Sequence, residues 1–194
     1  MVYMKYADDQ FYLDKIKNGD VASYANLVNK YKDMVYSIAI KILRDADDAN
    51  DLAQECFITA YQQLHKYQGR SKFSTWLYAI TYHAAVTRLR CNRLDTVSVG
   101  DAGLEIPDSA ANQFDRLQSK QVGQQVRIAI DRLPQTDALL VTLHYINDLP
   151  IKEIQEITGL SKPNIKIKLF RARRKLEHEL AFLLNDEMKA SNER

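Results

Sequence analysis

Apolar residues recur at helical spacing along most of the chain, and no segment alternates as a strand would. Tyr24, Leu27, Val28 and Tyr31 predict one helix, and Val35, Ile38, Ala39 and Ile42 a second. A third starts near residues 45–48, where acids suit the positive end of a helix, and runs to about Leu64. Ala53, Phe57, Ala60 and Leu64 form its inward face. Asp51, Glu55, Ile58 and Gln62 share that spacing but lie about 200° round the axis. After a polar loop over residues 65–72, Ser74 caps a helix that carries Trp76, Leu77, Ile80 and Ala84 and ends among Arg88, Arg90 and Arg93.

Downstream, residues 120–133 predict a helix stopped by Pro134, and residues 136–146 another ended by Asn147, Asp148 and Pro150. Residues 151–158 form a short helix with Ile151, Ile154 and Ile157 on one side. Thr158, Gly159 and Leu160 then turn the chain, and Ser161 is the N-cap of the last long helix. The expected fold is all-α: two small helical domains, residues 1–93 and 120–194, joined by a flexible linker over residues 94–119.

Charge sharpens that division. The two outer blocks each carry 13 basic and 10 acidic side chains, whereas residues 94–118 hold Arg116 against five acids. An acidic segment with Gly100, Gly103 and Pro107 between two mildly basic blocks marks a boundary.

A short helix, a turn containing Gly and a longer helix make the helix-turn-helix pattern, whose second helix enters the major groove of DNA. Ile165, Leu169, Ala172 and Leu176 fall on its inward face. Residues 161–175 otherwise contain Lys162, Lys166, Lys168, Arg171, Arg173, Arg174 and Lys175, and no acid. An ordinary solvated helix interleaves acids four residues away, and here those begin only at Glu177. Phosphate would relieve the repulsion and release counterions.

Three separated motifs, in order, resemble the extracytoplasmic-function group of bacterial sigma factors: Asp51-Leu52-Ala53-Gln54-Glu55-Cys56-Phe57, Phe73-Ser74-Thr75-Trp76-Leu77-Tyr78-Ala79-Ile80, and Leu133-Pro134 with residues 149–176, including Arg171-Ala172-Arg173. The resemblance implies a transcription-initiation factor that binds core RNA polymerase, recognises promoter DNA, and is held in check by an anti-sigma factor. By that resemblance Asp51, Leu52, Gln54, Glu55, Ile58 and Gln62 meet a basic coiled coil of the polymerase's largest subunit. The acids fit, since residues 45–55 contain five acids and no base. Ile58, apolar within a polar stripe, also points to an interface.

The second motif lies in an acid-free stretch, residues 65–93, in which Lys66, Arg70, Lys72, Arg88, Arg90 and Arg93 are interleaved with Tyr67, Phe73, Trp76, Tyr78 and Tyr82. Cations beside aromatic surfaces suit single strands, because stacking accepts any unpaired base. The resemblance implies that the loop over residues 66–72 captures a base flipped from the minus-ten element. Lys66, Tyr67, Arg70, Lys72, Phe73, Arg88 and Arg90 are the candidate contacts. Tyr67 and Phe73 are expected to be open, and Trp76 to belong to the core. For the minus-thirty-five duplex the implied contacts are Ser161, Lys162, Asn164, Lys166, Ile167, Lys168, Phe170 and Arg171.

The chain departs from the family pattern at His83, Thr87, Gln155 and Pro163, which bear on promoter sequence rather than fold. The resemblance implies that Asp101, Glu105 and Asp108 follow a nucleic-acid path through the polymerase; the alternative is an ordinary flexible tether.

Other classes fare worse. A helix-turn-helix regulator with an N-terminal sensing or dimerisation domain would require neither the acidic motif nor the acid-free aromatic stretch. The four histidines have no metal-ligand spacing, and there is no Gly-rich phosphate loop or nucleophile elbow, so neither catalysis nor a cofactor is expected. The zinc motif of one anti-sigma class is also absent. The charged first 20 residues lack a signal-peptide core, and no apolar run would insert in a membrane. The expected location is therefore cytoplasmic, with Cys56 and Cys91 as reduced thiols and Cys56 buried.

Overall fold

Helices account for the regular structure, and the described residues contain no strand. The computed structural model describes the backbone of residues 4–95 and 115–192 and the side chains of residues 9–92 and 123–181. The linker acids Asp101, Glu105 and Asp108, and the side chain of Arg93, lie outside these. The chain divides into two compact units, one of residues 1–100 with 156–159 and one of residues 101–155 with 160–194.

The first unit contains α1 (Met4–Lys17), α2 (Tyr24–Leu43), α3 (Ala46–Gln62) and α4 (Phe73–Asp95). One correction concerns α2, which is a single helix where two were expected. Leu27, Tyr31, Val35, Ile38, Ala39 and Ile42 are all buried along it in one unbroken i+3/i+4 stripe. Lys32 and Asp33 merely occupy its solvent side and do not interrupt it. The helix stops at Arg44, whose φ of 58° is left-handed and whose amide bonds back to the Ile40 carbonyl at 2.9 Å. Asp45 then caps α3, its carboxylate accepting from the Asp48 amide at 2.8 Å.

The buried stripe of α3 is turned by about one residue from the expected one. Ala49, Leu52, Cys56 and Ala60 form its centre with Phe57 beside them, while Ala53 is only half-buried. Tyr24 on α2 ties the two helices together, donating to the Phe57 carbonyl at 2.7 Å. At the start of α4, Ser74 lies inside the helix and is not its cap, because Phe73 is already helical and the Trp76 amide bonds to the Lys72 carbonyl at 3.1 Å. α1 had no predicted counterpart. It buries Asp9, Leu13 and Ile16, and Asp9 accepts hydrogen bonds from the Lys30 ammonium and the Tyr31 hydroxyl of α2.

Burial pushes the Cys56 thiol up to about 11, only partly offset by its contact with Thr81. Cys91 is exposed. At pH 8 a maleimide should therefore label about one thiol per native chain, and the second only after unfolding. The same shift sets a pH dependence. Between pH 9 and 11 the unfolded thiol has lost its proton and the native one has not, so stability falls as pH rises, by about 1.4 kcal/mol per pH unit from this group. Tyr24, raised by burial, acts in the same direction at higher pH. Urea midpoints that stay level between pH 9 and 11 would contradict this.

The second unit contains α5 (Asp115–Asp131), α6 (Gln135–Val141), a π-helical turn (Thr142–Ile146), the first five residues of α7 (Ile151–Thr158) and α8 (Lys162–Asn192). α5 starts five residues before the expected Lys120, inside the segment assigned to the linker. The single helix expected over residues 136–146 instead widens after Val141. The Asn147 amide reaches the Thr142 carbonyl at 3.0 Å, and Leu149 reaches Leu143 at 3.0 Å. α7 and the following turn lie where the sequence placed them. Gly159 has a φ of +70°, which a side chain would strain, and Ile165, Leu169 and Ala172 of α8 are buried.

Candidate nucleic-acid and protein-docking surfaces

α3 presents Asp51, Gln54, Glu55, Ile58 and Gln62 to solvent. Ile58 is 58% exposed, an apolar side chain among these polar ones. Leu52 does not belong with them. It is 3% exposed and part of the core, since one residue along a helix turns the side chain by about 100°.

Glu55 is not simply solvated. Both its carboxylate oxygens accept from Nη2 of Arg88 on α4, at 2.8 and 2.7 Å, and Arg88 also reaches the Asp48 carbonyl at 3.4 Å. The hydrogen bond that Arg88 donates to Glu55 holds its guanidinium above the ordinary value. A candidate protein contact and a candidate DNA contact are thus bonded to each other. Arg88 spans α3 and α4 and is not a free cation for a phosphate.

The aromatic residues after α3 form one cluster. Tyr31 lies 5.8 Å from Phe73 and 6.0 Å from Tyr78, Phe73 lies 5.8 Å from Tyr67 and from Trp76, and Tyr67 lies 5.3 Å from Trp76. Phe73 is 2% exposed and anchors the cluster from within, so it is not an open stacking surface. Tyr67 and Trp76 are half-buried, so Trp76 is more accessible than Phe73 and Tyr78, its cluster neighbours on α4. The Tyr67 hydroxyl donates to the Ser71 carbonyl at 2.7 Å, closing the loop between them. Lys66, Arg70 and Arg90 are exposed, and Lys72 is half-buried.

On α8 the inward stripe leaves Ser161, Lys162, Asn164, Lys166, Ile167, Phe170 and Arg171 exposed. Lys168 is an exception. It is half-buried beside that stripe and pairs with Asp137 of α6 at 3.2 Å, which largely commits its charge. Arg173 pairs with Glu177 at 3.1 Å on the exposed surface, a weak contact in water. Arg174 lies over the Phe170 ring at 5.3 Å. The sequence had no means of showing the Asp137 pairing, because that acid is 31 residues away.

Among the described residues no group of three or more His, Cys, Asp or Glu is gathered as a metal site, and no helix is long and apolar enough to cross a membrane.

Two family models match this chain, sigma-70 region 2 over residues 27–94 and sigma-70 region 4 over residues 123–176. The extracytoplasmic-function sigma factor SigW of Bacillus subtilis is 30% identical to it, over 87% of this chain and 94% of SigW. The sigma-E factor of Escherichia coli is 26% identical, over 91% and 96% of the two chains. In fold the chain is similar to the sigma factor RpoE of Bartonella quintana, solved in complex with the anti-sigma factor NepR. The TM-score is 0.69, at 20% identity over 83% of this chain and 98% of that one. Both matched regions are helical in this structure, and the chain belongs to the extracytoplasmic-function sigma factors of the sigma-70 family, which direct RNA polymerase to promoters.

Proposed function

We propose that the two units divide this work between them. The first docks on core polymerase through Asp51, Gln54, Glu55, Ile58 and Gln62, and holds the opened minus-ten strand against Tyr67 and Trp76 with Lys66, Arg70 and Arg90. The second reads the minus-thirty-five duplex with α8. The segment over residues 96–114 joins the two in sequence. The work is recognition and strand capture in the cytoplasm, without catalysis by this chain.

The observation that best supports this division is the two-sided character of α8. Its apolar stripe is buried, while Lys162, Lys166, Arg171, Arg174 and Lys175 are all exposed on the remaining faces. Its first turn, at Lys162 and Asn164, also offers backbone amides to a phosphate. A regulating partner fits the same surfaces. A fold relative was solved with an anti-sigma factor, and exposed Ile58, Ile167 and Phe170 would give such a protein apolar holds.

Arg171 tests the duplex assignment. Arg171→Ala should weaken binding to minus-thirty-five DNA by about tenfold, and if Arg171 contacts phosphate the slope of log affinity against log salt should fall by about one. Anisotropy titrations at several salt concentrations separate the cases. Unchanged affinity with an unchanged slope removes Arg171 from the interface.

A further inference from the structure

Ile167 is out of place on a nucleic-acid surface that works by charge. It is 50% exposed in α8, with Lys166 and Lys168 on either side and Arg171 one turn on. The core of this unit does not hold it, because the buried residues of this stretch are Ile165, Leu169 and Ala172. A β-branched residue also gives up side-chain freedom in a helix, where alanine would be better. Phe170, 62% exposed, follows at i+3 on the same face, its ring beneath Arg174.

An isoleucine can neither donate nor accept a hydrogen bond. In the major groove the one apolar group that any base pair offers is the thymine methyl, and the other base edges show donors and acceptors. A stiff, branched aliphatic side chain on the exposed face of a basic helix is suited to that group and to none of the others. Within the reading of α8 as the duplex-binding helix, we propose that Ile167 is a specificity-determining residue that selects thymine by its methyl group. Phe170 lies about 4.5 Å further along the helix axis, little more than one base-pair rise of about 3.4 Å. It flanks Ile167 on the exposed side of the helix and would shield the contact from water.

The test uses the full chain with core polymerase, on a promoter from its own genome located by mapping RNA starts. Each thymine of the minus-thirty-five element is replaced in turn by deoxyuridine, which removes the methyl and leaves the pairing edge intact. At one position, or two adjacent ones, the wild-type complex should weaken about fourfold, the effect of one buried methyl-sized group. Ile167→Ala should weaken the thymine promoter by a similar factor and be indifferent to deoxyuridine there, whereas Ile167→Val, which keeps the branch, should retain the discrimination. Ile167 is exposed, so neither variant should disturb folding.

The assignment is overturned if no thymine position responds in the wild type, or if Ile167→Ala stays as sensitive to deoxyuridine as the wild type. If Ile167→Ala impairs only capture by an anti-sigma factor and leaves DNA binding unchanged, the side chain serves that protein and the assignment is likewise wrong. Failure of the underlying reading looks different, since α8 would then leave the minus-thirty-five duplex unprotected whatever its thymines carry.

Discussion

Ile58→Lys should weaken binding to core polymerase by at least about 30-fold, roughly 2 kcal/mol, without unfolding the protein. Two effects act together. The variant removes an apolar anchor that is 58% exposed in the free chain, and burial of such a side chain contributes about 1.5–3 kcal/mol. It also places a cation among Asp51, Glu55 and the neighbouring acids of α3, which suit a basic partner, so like charge would face like charge. Folding is spared because the side chain leaves the core stripe of Ala49, Leu52, Cys56 and Ala60 untouched. Competition for core against the wild-type chain measures this directly, with circular dichroism as the folding control. A variant that competes as well as the wild type would place the docking face elsewhere. By contrast Leu52→Lys should fail by unfolding, because that residue of the same motif is buried.

Asp9→Ala should destabilise the first unit by about 2–3 kcal/mol. The carboxylate is buried and accepts from both Lys30 and Tyr31, so its removal takes an acceptor from a partly buried ammonium and a buried hydroxyl. Lys30 keeps some access to water, which places the loss below that of a fully buried pair. Asp9→Asn retains an acceptor for Tyr31 and should lose less. The effect should also reach function, since Tyr31 packs on Phe73, and Phe73 on Tyr67 and Trp76. Urea denaturation gives the stability. Permanganate footprinting of melted promoter thymines should show weaker opening, while binding of the minus-thirty-five duplex is unaffected. Stability within 0.5 kcal/mol of the wild type would show that the cluster contributes little beyond ordinary surface contacts.

The helical class and the helix-turn-helix were legible because their signals are local. The inward stripe of α8 and the turn at Gly159 need only the 3.6-residue period and the positive φ that glycine adopts. What was misread depended on partners distant in sequence. Phe73 looked open because its motif suggested contact with bases, yet its ring lies against Tyr31, 42 residues earlier. Arg88 and Lys168 read as free cations until Glu55 and Asp137 were brought beside them. Leu52 was counted with its motif although the pattern of Ala49, Leu52, Cys56 and Ala60 already placed it inward. α1 escaped notice because one of the side chains it buries is an acid whose partners lie on α2.

Reconstituted transcription tests the central claim most directly. Purified chain is added to sigma-free core polymerase, with genomic fragments from its own source as template, and RNA starts are mapped. The account predicts discrete starts that depend on the chain, are preceded by two shared elements, and are lost with Ile58→Lys. With the core shown to be active on a control sigma factor, no binding and no starts would contradict it.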